Sequence, residues 1–166
     1  MINPFSIRCF LKSCPKYIIW ILGSSFLFFF ADFFFKVSMI KFLGMGKECI
    51  LFNDLNIQLS IFFTNNYGAA WGLFSSFPKI LTLVRCIAII MLFINIFLYK
   101  KKIKKICLTL IWIGALSNII DVFIHGHVID FIKISIFSYT FPIFNTADAL
   151  ICLGSTIFLI SALNKK

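Results

Sequence analysis

Acidic residues are scarce in this 166-residue sequence, which has 6 Asp and Glu against 16 Lys and Arg and a formal net charge of +10. Charged residues of both signs make up only 13% of the chain, whereas apolar residues make up 61% and the mean hydropathy is +1.01. A soluble domain carries about 25% charged residues. The composition therefore excludes an ordinary soluble domain and predicts a single membrane domain over residues 1–166.

Residues that hold metals or act as nucleophiles are also scarce. The 2 histidines, His125 and His127, lie two residues apart without an evident third ligand, and the 6 cysteines form no CxxC motif. We interpret the histidines as solvated loop residues and predict no metal site and no cofactor. No GxSxG motif is present, and no Ser/His or Cys/His nucleophile set is convincing. Carboxylates remain as the candidate catalytic groups.

The basic residues are concentrated beside the apolar runs. Ten of them fall in three clusters, within residues 8–16, 100–105 and 165–166. Because cytoplasmic loops of membrane proteins are enriched in Lys and Arg, both termini and the middle loop are predicted to be cytoplasmic. A nucleic-acid-binding patch would instead be interleaved with a soluble fold, so no nucleic-acid partner is predicted.

Four apolar runs are long enough to cross a membrane as helices that rise about 1.5 Å per residue. The predicted transmembrane helices cover about residues 17–37, 80–99, 106–124 and 143–163. The segments of about 38–79 and 125–142 are predicted to lie outside the cytoplasm. In the first of them Leu55, Ile57, Leu59 and Ile61 alternate with polar residues, which is the pattern of a half-buried strand. Such a strand needs partners outside the hydrocarbon.

Ionisable side chains inside the apolar runs are the strongest functional signal, because they are costly at membrane depth. Asp32 and Lys36 share a helical face and are a possible ion pair. At about 1.5 Å per residue, four ionisable residues lie roughly 22 Å from the predicted cytoplasmic edge: Asp32, Arg85, Asp121 and Asp148. They are predicted to form one layer toward the outer leaflet.

Amide side chains accompany two of these carboxylates. Asn118 and Asp121, like Asn145 and Asp148, are three residues apart on one face, so the amides can orient the carboxylates. Paired carboxylates suit the activation of water, because one holds a proton while the other remains a base. A proton-coupled transporter or channel subunit also uses intramembrane Asp, but it needs acids spread along a path, and the single layer argues against that.

Five short motifs occur in order from the first predicted helix to the last. Asp32 and Lys36 form DxxxK, residues 66–72 read NYGAAWG, residues 118–121 form NxxD, residues 126–131 form GxVxDF and residues 144–154 form FNxADxxIxxG. Through these motifs the chain resembles the lipoprotein signal peptidases, the signal peptidase II family of bacterial inner-membrane aspartic proteases. The resemblance implies an integral membrane, mainly α fold with four transmembrane helices and a small extracytoplasmic β-rich cradle.

The resemblance also implies a function and a set of site residues. Asp130 and Asp148 are the expected catalytic pair, and Asp121 is expected to be a structural neighbour of that pair. Supporting or substrate-binding roles are expected for Asp32, Lys36, Asn66, Gly68, Asn118, Asp121, Asn145 and Ala147. The expected reaction is cleavage of prolipoproteins before the diacylglyceryl-modified cysteine, in contact with membrane lipids, and the antibiotic globomycin would occupy the same cleft.

Two positions depart from the family pattern. The residue after Asp121 is usually Arg and is Val122 here, and the usual Gly before Asn118 is Ser117. The first change removes a cationic donor expected near the substrate. Arg85 is then the only arginine predicted in the same layer, and two interpretations stay open. Arg85 either faces the cleft, where it contacts substrate or balances Asp121, or snorkels to the outer interface.

Overall fold

Helices and short strands alternate along the chain. The protein is described as a computed structural model over residues 16–44, 46–69 and 72–163. In chain order the elements are α1 (Lys16–Phe42), β1 (Glu48–Asp54), β2 (Ile57–Asn66), α2 (Pro78–Leu98), α3 (Lys102–His125), β3 (Val128–Ile136), β4 (Tyr139–Thr140) and α4 (Thr146–Leu163). Several residues used in the sequence arguments lie outside the described part: Arg8, Lys12, Ala70, Trp71, Lys165 and Lys166.

Three of the described helices, α2, α3 and α4, are long and apolar enough to cross a membrane. The expected mainly helical membrane fold with a small antiparallel sheet is therefore confirmed, whereas the fourth crossing, by α1, stays a prediction. Helix α2 begins at Pro78, whose fixed φ suits the first turn of a helix. Helix α4 begins only at Thr146, because Phe144 still pairs with Ile132 of β3.

Helix α1 is longer than the apolar run that predicted it. It continues five residues beyond the expected end at residue 37, because the sequence from Ser38 to Phe42 contains no helix breaker. The chain turns only at Gly44, which has a positive φ of 73°. The segment that starts at residue 38 is therefore helical at first and becomes a strand at Glu48.

The four strands form an antiparallel sheet in the order β1-β2-β3-β4. The turn between β1 and β2 consists of Leu55 and Asn56, both with positive φ, so the prediction that Leu55 belongs to the strand was wrong. Ser60 and Phe63 are the most buried residues of β2, rather than the alternating aliphatic residues. A bulge between Ile61 and Thr64 accounts for part of this, because an extra residue changes the face that follows it.

Two tight turns bring the ends of α3, β3 and α4 together. Gly126 caps α3 in the left-handed conformation, with a φ of 78°, and its N–H donates to the carbonyl of Val122. Strand β3 follows directly, and its residue Ile132 pairs with Phe144 immediately before α4 starts. A Cβ at Gly114 of α3 would collide with the backbone of Ala147, so glycine permits α3 and α4 to approach this closely.

Candidate active site

Asp130 lies on β3 and is only 2% exposed. Its Oδ1 accepts a hydrogen bond of 2.8 Å from Asn145 Nδ2, and its Oδ2 accepts one of 2.9 Å from Asn66 Nδ2. Burial, and secondarily the charge of Asp148, raises the pKa of Asp130 to about 7, against which the two amide donors act only in part. The carboxyl group is therefore poised to exchange a proton near neutral pH.

Asp148 lies at the start of α4, where it forms a reciprocal cap with Asn145. The N–H of Asn145 donates to Asp148 Oδ2 at 3.2 Å, and the N–H of Asp148 donates to Asn145 Oδ1 at 2.9 Å. This is the geometry of a capping box, which satisfies free N–H groups of the first helical turn. The remaining carboxylate oxygen, Oδ1, accepts a hydrogen bond of 2.7 Å from Asn118 Nδ2.

Asn145 connects the two carboxyl groups and is completely buried. Besides Asp130, its Nδ2 contacts Asn118 Oδ1 at 3.0 Å and the carbonyl oxygen of Ile129 at 3.2 Å. Asp130 and Asp148 thus belong to one hydrogen-bonded network and line one cavity of about 290 Å³. The amide of Asn118, which was expected to orient Asp121, donates to Asp148 instead. Asn145 contacts the Asp148 carboxylate through its backbone N–H and not through its amide side chain.

Arg85 is directed toward this cavity, which it lines with both carboxyl groups. Its Nη2 donates to the carbonyl oxygen of Gly68 at 2.7 Å, and the N–H of Gly68 donates to Asn66 Oδ1 at 2.9 Å. Three hydrogen bonds therefore lead from Arg85 through Gly68 and Asn66 to Asp130. Of the two interpretations, the structure favours the cleft. A role in balancing Asp121 is wrong, because Lys36 is the partner of Asp121.

Gly68 itself is required by a close backbone approach. A Cβ at this position would lie 2.6 Å from the backbone of Gly72 and from the carbonyl oxygen of Leu73. The following N–H, from Ala69, donates to the same Leu73 carbonyl at 2.7 Å. The loop after β2 is therefore folded tightly on itself where it meets Arg85 and Asn66.

A second buried cluster lies next to the first and contains a cation. Lys36 Nζ is 2.7 Å from Asp32 Oδ2 and 2.7 Å from Asp121 Oδ2, and none of the three residues is more than 4% exposed. Ser117 Oγ donates to Asp32 at 2.5 Å, and the Thr146 hydroxyl donates to the other Asp32 oxygen. Asp121 Oδ2 also accepts the N–H of Ile129 at 3.3 Å. The cluster therefore connects α1 and α3 to β3 and to the start of α4.

The remaining predicted positions are placed around these two clusters. Ala147 is completely buried between α3 and the first turn of α4. His125 and His127 lie with ring centroids 6.1 Å apart, and His127 is also 5.2 Å from the ring of Tyr67. Within the described ranges no three His, Cys, Asp or Glu side chains are grouped closely enough to hold a metal ion.

Ser117 and Thr146 are the residues that sequence reasoning missed. Both donate to Asp32, from 85 and 114 residues along the chain. Neither is part of a local pattern that marks a buried hydrogen bond, since only the packing of α1 against α3 and α4 creates it. The serine that departs from the family pattern therefore has a definite partner.

Apolar helices long enough to cross a membrane, together with an aspartate pair on β3 and the first turn of α4, define a membrane protein with a candidate aspartic active site. A family model described as "Signal peptidase (SPase) II" matches residues 24–164. The chain belongs to the signal peptidase II family.

Individual relatives agree with this assignment. The chain is 43% identical over 99 residues to a lipoprotein signal peptidase of Chlamydia felis, covering 58% of this chain and 60% of the relative. It is 41% identical over 103 residues to a lipoprotein signal peptidase of Staphylococcus carnosus, covering 59% and 63%. The matched part spans about three fifths of the length of these curated relatives.

A solved structure is similar over nearly the whole chain. It is described as "Bacterial membrane enzyme structure by the in meso method at 2.3 A resolution". It is 29% identical, covers 90% of this chain and 93% of its own, and has a TM-score of 0.78. A second structure with a similar description has 27% identity and a TM-score of 0.76. The similarity therefore extends to the sheet as well as the helices.

Proposed function

We propose that this chain is a membrane aspartic endopeptidase that removes signal peptides from prolipoproteins by cleaving before the diacylglyceryl-modified cysteine. The observation that carries the proposal is the pair formed by Asp130 and Asp148. Both line one cavity, both are oriented by neutral amide donors, and among the described residues neither has an ion-pair partner within 4 Å. Membership of the signal peptidase II family supports the same reaction and substrate.

The two carboxyl groups would divide the proton transfers between them. With a pKa raised to about 7, Asp130 retains a proton near neutral pH and donates a hydrogen bond to the scissile carbonyl. Asp148 takes a proton from a water molecule, whose oxygen attacks the carbonyl carbon. When the C–N bond breaks, a proton passes to the leaving amine. The products are the carboxyl end of the signal peptide and the free amine of the lipid-modified cysteine.

The other predicted residues would hold this pair in place. Asn66, Asn118 and Asn145 orient the carboxyl groups, and Arg85 fixes Gly68 and, through it, Asn66. The cluster of Asp32, Lys36 and Asp121 fixes β3 and the start of α4, which carry the two aspartates. Ala147 is completely buried where α4 packs closely on Gly114 of α3.

The location of the pair suits a substrate that is anchored by lipid. We place α1 as the fourth transmembrane helix, both termini in the cytoplasm and the site toward the outer leaflet of a bacterial inner membrane. The apolar helices and the basic clusters support this orientation. A diacylglyceryl group in the outer leaflet would then bring the cysteine to the depth of Asp130 and Asp148.

A proton-coupled transporter is the less favoured alternative. Such a protein needs titratable groups along a route across the membrane. The described acids instead form one group of four, in which Asp32, Asp121 and Asp130 are buried and Asp148 is half-buried, while Glu48 and Asp54 lie in strand β1. Nothing in this distribution outlines a route to the opposite side.

The proposal is tested with detergent-purified protein and a diacylglyceryl-modified prolipoprotein. We expect a single cleavage immediately before the modified cysteine, measured by the mass of both products, and inhibition by globomycin. The matched control is the same precursor without the lipid, which should remain intact. Absence of cleavage by a folded enzyme, or equal cleavage of both precursors, would contradict the proposed activity or its substrate.

A further inference from the structure

A groove with only apolar side chains lies where the loop after β2 enters helix α2. Its volume is about 410 Å³. Among the described residues it is lined by two aromatic side chains before the helix and three aliphatic side chains of the helix: Phe74, Phe77, Ile80, Leu81 and Val84. We name it the α2 groove. It offers no polar side chain to a ligand, so it suits a hydrocarbon chain and not a peptide.

The backbone at the start of α2 places these side chains one after another. The N–H of Phe77 donates to the carbonyl of Phe74 at 2.9 Å, and the N–H of Leu81 donates to the carbonyl of Phe77 at 3.0 Å. Each hydrogen bond closes one turn of the backbone. Phe74 has a φ of 62°, which bulky residues rarely adopt. The loop therefore holds an aromatic ring at the groove at a cost in backbone strain.

The described protein leaves this groove open on one side. Phe74 is 65% exposed, Phe77 58% and Val84 55%. Helix α2 is long and apolar enough to cross a membrane, so the open side of the groove meets hydrocarbon and not water. An acyl chain can therefore enter the groove without leaving the lipid.

The α2 groove adjoins the cavity of the aspartate pair. Leu81 and Arg85 are four residues apart on α2 and share a helical face. Arg85 lines that cavity, and the loop that carries Phe74 lines it through Ala69. The helix and the loop thus contribute walls to both the groove and the cavity. Along α2 the two sites are one helical turn, about 5.4 Å, apart.

The proposed substrate carries its acyl chains close to the bond that is cleaved. The diacylglyceryl group is attached to the sulfur of the cysteine whose amine is released, so its chains start at the cavity of Asp130 and Asp148. That cavity, of about 290 Å³, must also hold the peptide on both sides of the bond. The chains therefore extend out of the cavity, and an apolar exit keeps their surface away from water.

We propose that the α2 groove is the subsite for one acyl chain of the diacylglyceryl group, an inference that rests on the proposed function. The chain passes Arg85, enters the groove at Leu81 and packs against the rings of Phe74 and Phe77. A free phospholipid can occupy the same groove, but an acyl chain attached to a bound cysteine reaches it at a high effective concentration. The subsite thereby favours lipid-modified precursors over unmodified ones.

The first test fills the groove. Leu81→Trp introduces a larger side chain into it, and Leu83→Trp makes the same exchange at a position that is 61% exposed and outside the groove. Cleavage is measured in phosphatidylethanolamine and phosphatidylglycerol vesicles with precursors that carry palmitoyl or butyryl chains. The ratio of variant to wild-type KM at each chain length removes the effect of partition into the vesicles.

We expect Leu81→Trp to raise KM for the palmitoyl precursor about tenfold and to leave kcat, and KM for the butyryl precursor, nearly unchanged. Leu83→Trp should alter neither precursor's KM. An equal rise of KM for both precursors, or the same result with Leu83→Trp, would overturn the subsite. Cleavage of neither precursor by the wild-type enzyme would contradict the proposed function instead.

A second measurement needs no cleavage. A photoreactive diazirine at the end of a palmitoyl chain is carried either by the precursor or by phosphatidylglycerol, and the labelled positions are mapped by mass spectrometry. We expect the precursor to label residues 74–84 several times more than phosphatidylglycerol does. Equal labelling by the two probes, or labelling by the precursor only elsewhere, would overturn the proposal. Labelling of the groove without cleavage would support the subsite and contradict the proposed function.

Discussion

Two pairs of aspartates lie side by side in the protein and are stabilised in different ways. Asp32 and Asp121 share the ammonium group of Lys36, with both distances at 2.7 Å. Asp130 is buried and Asp148 is half-buried, and the two are held by the amides of Asn66, Asn118 and Asn145. The first pair therefore contacts a cation, whereas the second pair contacts neutral amide donors.

The difference separates a structural role from a chemical one. A carboxylate that shares a buried ammonium group is fixed by an ion pair, and loss of the cation leaves it buried without a charged partner. A carboxyl group held by neutral donors can change its protonation state, and the pKa of Asp130 is raised to about 7. The same residue type is therefore expected to support the fold at positions 32 and 121 and to carry the reaction at 130 and 148.

The largest expected effect is on the amide-held pair. Asp130→Asn and Asp148→Asn should each lower kcat by about 10³-fold or more, and the double variant should be little worse, because the two groups act as a unit. Cleavage of the lipid-modified precursor measures this, with exposed Asp54→Asn as the matched control. Substantial activity in either single variant would make the comparison between the two pairs untenable.

The cation-held pair should respond in stability. Lys36→Met leaves two buried carboxylates unpaired and should lower the free energy of unfolding by about 3 to 5 kcal/mol. Lys133→Met, which breaks the more exposed pair with Glu48, should cost no more than about 1 kcal/mol. Unfolding in detergent followed by circular dichroism compares the two. If Lys36→Met is as stable as Lys133→Met, the cluster does not hold the fold as inferred.

The protonation of Asp130 should appear in the pH dependence. Since its pKa is raised, the carboxyl group is protonated below about pH 7 and ionised above it. Cleavage should therefore fall about tenfold per pH unit above this value. The folded state also binds this proton between the ordinary value of 3.8 and about 7, so Asp130 favours folding less as pH rises through that range. A cleavage rate that stays constant from pH 6 to 9, with chemistry limiting, would contradict the assignment.

The smallest expected effect is at Arg85, which acts on Asp130 through Gly68 and Asn66. Arg85→Leu removes the donor to the buried Gly68 carbonyl and should lower kcat/KM roughly tenfold. Because a positive charge leaves the cavity, the basic limb of the pH profile should also move to higher pH. Arg85→Lys should keep the limb near its original position.

Lys79→Leu, at an exposed position of the same helix, is the control for Arg85 and should change neither rate nor pH profile. An Arg85→Leu enzyme with unchanged rate and pH profile would show that the hydrogen-bonded connection to Asp130 has no functional consequence.

Local spacing within the sequence predicted some of the contacts between near neighbours. The four-residue interval between Asp32 and Lys36 predicted an ion pair, because such residues meet on one helical face, and that pair is present. The three-residue intervals were less reliable, because the Asn118 amide donates to Asp148 and not to Asp121, and Asn145 and Asp148 contact each other through backbone N–H groups. The long apolar runs likewise predicted the helices. In a regular helix the distance between two residues depends only on how far apart they are in the sequence.

Tertiary structure alone determines which helices and strands come into contact. The sequence interval places Lys36 beside Asp32 alone. The packing of α1 on α3 adds Asp121 as a second partner of Lys36, and it also brings Ser117 to Asp32. Tertiary structure also directs Arg85 of α2 to the Gly68 carbonyl, 17 residues away in the chain. Contacts across 17 to 114 residues depend on how helices pack and where strands pair. The spacing of residues in the sequence does not predict these long-range contacts. The distinction between a structural pair of aspartates and a pair expected to carry the reaction is therefore visible only in the folded protein.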